Sequence, residues 1–132
     1  MSKNRPVQNF KALAPNAEMM ALLEHSDRSI IILDRDYRIL WFNARASQGM
    51  YQFYGEELKT GYSYWDYVDQ DHNKRFMRNF RASLKGRRIT TEQKVVKPGT
   101  KEKELWVEGR FTPYNDIKGN AIGVVYSYVN IT

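Results

Sequence analysis

The chain's stock of reactive side chains is small. Two histidines, His25 and His72, and 15 acidic residues stand among 132 residues that include no cysteine. Without cysteine there is no disulfide, no thiolate metal ligand, no thiol nucleophile and no cysteinyl adduct to a flavin. A metal or haem site needs convergent ligands, and each histidine stands alone; His72 reads as a solvated residue in the run Asp69-Gln70-Asp71-His72 that starts a helix. Glu56-Glu57 and Asp69/Asp71 are carboxylate pairs. Sequence neighbours seldom converge on one substrate, and no partner of raised basicity accompanies them. No Gly-rich phosphate loop, nucleophile elbow or metal-ligand spacing occurs. Catalysis is not expected.

The chemistry on offer is recognition, and the last third of the chain carries it. Residues 105–114 and 121–130 read as two strands, because Leu105, Val107, Gly109 and Phe111 alternate with Trp106, Glu108, Arg110 and Thr112. Pro113 is expected to end the first by removing a ladder donor, and residues 114–120 supply the turn. If the first set faces a core, the matching inner faces are Ser29, Ile31 and Leu33, then Gln93 and Val95, then Val124, Tyr126 and Tyr128. Tyr126, Tyr128 and Gln93 then bring polar tips into an apolar chamber, where a buried tip needs a partner. A small ligand is one partner; each other, backbone or water is the alternative. Gly109 is where a missing side chain leaves space, unless it marks a bulge.

The elements that must position these residues follow from pattern and punctuation. Asn16 caps a short Met/Leu helix over 17–24. Residues 29–33 form a β-branched strand, Asp34-Arg35-Asp36 a turn, and 38–42 a second strand. Asn43 starts a helix near Ala44, and 50–68 is read as short helical turns at most. The strongest helix spans 71–85: Phe76, Phe80 and Leu84 recur every four residues, opposite Lys74, Arg78, Arg81 and Lys85, and Gly86 closes it. Residues 90–97 make a third strand and Pro98-Gly99 begins its turn. A content of 42% hydrophobic and 14% aromatic residues suits one real core, and no run approaches a membrane span. The chain reads as soluble and cytoplasmic, without membrane insertion.

Helix, two strands, short helices, one long helix and three strands describe an α+β layer. In that order the pieces Ile32-Leu33-Asp34 with Ile39, Phe42-Asn43 and Ala46, then Gly55-Glu56-Glu57-Leu58 with Gly61, then 68–71, and finally Trp106, Pro113, Gly119, Gly123 and Asn130-Ile131-Thr132, resemble a PAS domain. The resemblance implies a five-stranded antiparallel sheet with helices on one face and an N-terminal flanking helix. It divides the chain into a tail over 1–15 and one PAS domain over 16–132, with the flanking helix at 17–25 and the PAS core at 29–132. Asn130 stands where the family's exit has aspartate. The stop there looks like a truncation, with an effector, a histidine kinase foremost, following in a parent protein.

What the family implies for cofactors is mostly negative. Flavin-binding members carry a cysteine in a motif after the mid-domain glycine, and Tyr64 falls at that position. One haem-binding subgroup has its histidine where Phe76 stands. No flavin adduct and no haem are expected, while an unidentified small ligand remains open. The expected lining is Ile31, Leu33, Phe76, Phe80, Gln93, Val95, Val107, Gly109, Phe111, Tyr126 and Tyr128. The other sheet face offers Ile30, Ile32, Trp41, Trp106, Val125 and Val129, too apolar to leave in water. The Met/Leu helix is its expected cover, from the same chain or from a partner. The family implies a homodimer there, through Met19, Leu23, Trp41, Trp106 and Val125. The formal charge of +6 and the row Lys74, Arg78, Arg81, Lys85 with Arg87-Arg88 are read as a solvated face, so no nucleic-acid partner is expected.

Overall fold

Six consecutive residues, Ser29–Asp34, are all buried. A strand with no exposed face must have a core on both sides and neighbours at both edges. The computed structural model shows this; it describes residues 15–67, 70–96 and 104–132. In chain order the elements are α1 (Ala17–Glu24), β1 (Ser29–Asp34), β2 (Ile39–Phe42), α2 (Ala44–Tyr54), a 3-10 turn (Tyr64–Asp66), α3 (Gln70–Leu84), β3 (Ile89–Val96), β4 (Glu104–Asn115) and β5 (Ala121–Asn130). The five strands form one antiparallel sheet in the order β2-β1-β5-β4-β3. This is the α+β arrangement that the element order implied.

One residue joins three of these elements. Asn43 has no exposed surface. Its Oδ1 accepts from Ile30 N at 3.0 Å and from Ala46 N at 2.9 Å, the second bond capping α2, while Nδ2 donates to the carbonyls of Leu23 at 3.1 Å and Arg28 at 2.9 Å. All four hydrogen-bonding positions of the amide are filled, which is what lets it be buried. The result fixes the end of α1 against the start of β1 and the start of α2.

The inner sheet face packs against α2 and α3. Ile31, Leu33, Ile39, Phe76, Phe80, Phe111, Val124 and Tyr126 belong to its buried cluster. Aromatic rings form its centre: Phe76 meets Phe111 and Tyr126 edge to face at centroid distances of 5.0 and 4.8 Å, and Tyr37 stacks on Phe80 at 4.1 Å. On the outer face, Ile30, Ile32 and Leu40 make a second buried cluster with Leu23, Trp41, Tyr114 and Val125 partly buried around it. Leu23 comes from α1, so the cover over these residues is supplied within the chain. Burying a side chain the size of Ile30 or Ile32 contributes roughly 1.5–3 kcal/mol each. Around Arg28 that face is polar. The Arg28 guanidinium donates to Ser127 Oγ at 3.0 Å and pairs with Glu108 at 3.1 Å, and Arg110 reaches the same carboxylate at 2.9 Å.

Four expectations change. α2 runs on through Tyr54 instead of breaking up near Met50; Gly55, at φ 72°, closes it by donating to Tyr51 O. β4 continues past Pro113, which pairs with Val124. Beyond Phe111, which faces the first residue of β3, β4 has a partner on one side only, where a residue without N–H is tolerated. Arg38 makes an isolated bridge to Ser63 ahead of β2. Register is continuous at Gly109, so that glycine is no bulge. Gly123 is the glycine that the sheet requires, because a Cβ there would collide with the Leu33 carbonyl. The 1–14 tail, residues 68 and 69 and the turn at Pro98-Gly99 lie outside the described residues.

Candidate functional site

Gly49 and Met50 lie on one side of α2, and Val107, Tyr126 and Tyr128 on the inner face of β4 and β5. Between them is a cavity of about 520 Å³. That volume is in the range of small-molecule sites. Its interior is made of buried Ser29, Met50, Tyr64, Val95, Val107 and Tyr126; its rim is exposed and polar, with Asp27, Arg45, Gln48, Gln52 and Asn130. Phe53, Tyr54, Leu105, Tyr128 and Val129 complete it.

Two phenols give the interior its character. Tyr64 and Tyr126 are 3% and 5% exposed and their rings lie 6.3 Å apart. Both residues line the cavity; no hydrogen bond to either hydroxyl is found among the described residues, yet the fully buried side-chain atoms without a partner are the Tyr37 hydroxyl and Ser83 Oγ, so the Tyr64 and Tyr126 hydroxyls open onto the cavity instead of being sealed. Burial first, then the neighbouring phenols of Tyr128 and Tyr54, push both hydroxyls well above the ordinary tyrosine range, so both are neutral donors at any physiological pH. Tyr128 is raised too, again by burial, but its hydroxyl shares a side-chain hydrogen bond with Ser29 that works the other way. The interior therefore presents two unengaged O–H donors within an apolar wall.

Of the residues expected to line a pocket, Val95, Val107, Tyr126 and Tyr128 do so. Ile31, Leu33, Phe76, Phe80 and Phe111 are brought together instead as the packed core beside it. Gln93 sits half-buried on the inner face of β3, opposite Val107, and is not part of the lining. Gly109 does not open space: a Cβ there would lie 3.2 Å from the Tyr126 ring, which already occupies the position. The α2 contribution and Tyr64 were missed. For Tyr64 a signal existed, since the resemblance drawn from the sequence aligns it with the reactive cysteine of flavin-binding members. Among the interface expectations, Leu23, Trp41 and Val125 lie in or against the second core, while Met19 and Trp106 are 44% and 45% exposed.

The end of β5 abuts this cavity. Asn130 is on its rim and pairs with Val107 of the interior. Beyond it, Ile131 N donates to Trp106 O at 2.8 Å, Trp106 N donates to Thr132 Oγ1 at 2.9 Å, and Thr132 N donates to Asn130 Oδ1 at 2.9 Å. Asparagine thus supplies the side-chain acceptor at this position without a carboxylate. His25 is exposed, and the side chain of His72 lies outside the described residues. Among the described residues no three His, Asp or Glu gather as a metal site.

Comparison with known proteins agrees with the geometry. The family model of the PAS fold matches residues 23–132. The chain belongs to the PAS family of sensory and signalling domains. Among solved structures, a PAS domain from Colwellia psychrerythraea superposes with a TM-score of 0.64 at 13% identity, covering 87% of this chain and 95% of that one. The PAS domain of BvgS from Bordetella pertussis gives 0.57 at 20% identity, with 87% and 84% covered. VqmA of Vibrio cholera, solved as a complex with ligand and DNA, gives 0.68 at 13% identity; 89% of this chain matches 52% of that one, so the likeness spans about half of VqmA. No curated protein sequence matches significantly. No described helix is long and apolar enough to cross a membrane.

Proposed function

We propose that this PAS domain is a non-catalytic sensor that takes a small, neutral, acceptor-bearing molecule into the cavity under α2. The observation carrying this is the pair of Tyr64 and Tyr126 phenols on the cavity wall, because hydroxyls that open onto an apolar cavity can each donate to a ligand acceptor for about 0.5–1.5 kcal/mol. We do not propose a flavin adduct or a haem, because the family resemblance aligns Tyr64 with the adduct-forming cysteine and Phe76, a core residue, with the haem-ligating histidine. Occupancy biases the end of β5 through Asn130 and Val107, and passes through Asn130-Ile131-Thr132 to an effector beyond the PAS fold. A histidine kinase is the effector we favour; VqmA, matched over about half its length and solved with ligand and DNA, points to a different output.

The test is thermal denaturation of the wild type, Tyr64→Phe and Tyr126→Phe across a panel of small heterocycles, amides and ketones. The expected result is at least one compound that raises the wild-type Tm by mass action and does so less in both variants. Absence of any stabilising compound, or a shift unchanged in both variants, rejects the reading.

A second reading, dimerisation through α1 and the outer sheet face, is favoured by the exposure of Met19, Leu22 (77%) and Trp106. Light scattering on the wild type and Trp106→Ala decides it, a monomer mass for both at high concentration excluding the dimer.

A further inference from the structure

The positive charge of this protein sits in one place. Seven of its 21 lysines and arginines, and none of its 15 acidic residues, fall within residues 74–88, so the rest of the chain carries a formal charge of −1. At 3.6 residues per turn, Lys74, Arg78, Arg81 and Lys85 lie within about 60° of each other around α3, on the side opposite buried Phe76, Phe80 and Ser83. Arg75 flanks that row, and Arg87 and Arg88 extend it past Gly86. All seven are exposed, and among the described residues none is in an ion pair. Periodicity alone reads such a row as a solvated face favoured by the helix dipole. The dipole acts over the last turn, which accounts for Arg81 and Lys85 and leaves Lys74, Arg75 and Arg78 without a reason.

We propose that this face of α3, with Arg87 and Arg88, binds the phosphodiester backbone of a nucleic-acid duplex without reading its sequence. From Lys74 to Lys85 the row is about 16 Å long, the length of roughly five base pairs. An acidic protein surface fits less well, because stable protein interfaces centre on apolar anchors and none of the exposed large apolar side chains is on α3. An anionic membrane fits less well for the same reason, since no exposed large apolar side chain flanks the row for insertion. The lack of aromatics among the seven cations also disfavours a single strand, which binds by base stacking. The proposal does not depend on the cavity or its ligand.

The test is fluorescence anisotropy with a labelled DNA duplex of about 20 base pairs and an RNA duplex of the same sequence. Engagement of four phosphates predicts a loss of affinity of about 100-fold between roughly 50 and 200 mM salt. Arg78→Glu with Lys85→Glu should lose at least about tenfold at the lower salt. Lys59→Glu with Lys118→Glu, an equal charge change on other exposed surfaces, should lose less than about threefold. Arg78→Gln with Lys85→Gln, checked by circular dichroism, separates lost contacts from misfolding. Binding to either duplex with this pattern supports the proposal, the tighter arm naming the source of the phosphates. No binding to either at the lower salt, equal losses in the two double variants, or binding only to phosphatidylserine vesicles or polyglutamate overturns it.

Discussion

Three tyrosines around one cavity differ by a single hydrogen bond, and that difference is measurable. Tyr128 shares its hydroxyl with Ser29, so Tyr128→Phe should cost about 0.5–1.5 kcal/mol in urea denaturation. The Tyr64 and Tyr126 hydroxyls have no such partner, so Tyr64→Phe and Tyr126→Phe should leave the ligand-free chain as stable as before or up to about 1 kcal/mol more stable. A cost like that of Tyr128→Phe at either position would reveal a partner and weaken the case for a waiting ligand. The same residues contribute to alkaline stability, together with Tyr37, Tyr67 and Tyr114, whose hydroxyls burial also raises. Burial raises the three cavity tyrosines above the ordinary value of 10.0, so above that pH the unfolded chain releases protons that the folded chain retains. Stability is therefore complete below about pH 10 and falls as pH rises further, with a slope that should shrink in the Tyr126→Phe variant. Denaturant titrations in the two pH ranges check this.

At the scale of elements, the helices depend on how the chain enters them. Asn43 ties α1, β1 and α2 together through four hydrogen bonds. Asn43→Ala should cost about 2–4 kcal/mol, more than an ordinary cap, because it leaves buried backbone groups unmet as well as uncapping α2. Asn43→Asp keeps both accepted bonds but loses both donated ones and turns a negative charge toward the Leu23 and Arg28 carbonyls, so it should also destabilise. Chemical denaturation of both variants is the measurement; a loss below about 1 kcal/mol for Asn43→Ala would show that α1 is held mainly by Leu23. What was legible in the sequence follows the same division. Strand faces were readable because side chains alternate strictly: Val107 and Phe111 fell inward and Glu108 and Arg110 outward as expected. The cavity wall on α2 was not, since Gln48, Gly49 and Gln52 carry no apolar signal and a run of Tyr51, Phe53 and Tyr54 resembles a loop as much as a helix. The left-handed Gly55, which ends α2, was noticed only as part of a turn motif.

For the molecule as a whole, one sheet serves two purposes. Its inner face holds the aromatic core and the cavity, its outer face is sealed locally by α1, and both meet at the end of β5, where Asn130 touches the cavity rim while Thr132 is bonded back to Trp106. On the proposed reading this domain changes its output when the cavity fills, provided that something fills it. Gly49 allows that proviso to be tested without disturbing the tyrosines. It lies within α2 on the cavity wall, and a Cβ there makes only ordinary contact, 3.7 Å from the Tyr128 hydroxyl. Gly49→Leu should thus place its side chain in the cavity and, by replacing a helical glycine, stabilise the ligand-free chain by about 0.5–1 kcal/mol. The most direct measurement is native mass spectrometry of wild type and Gly49→Leu after exposure to the small-molecule fraction of a cell extract. The predicted result is a bound mass of metabolite size on the wild type that is absent from Gly49→Leu; no bound mass on the wild type, or the same bound mass on both, would contradict the claim that this cavity is where the domain senses.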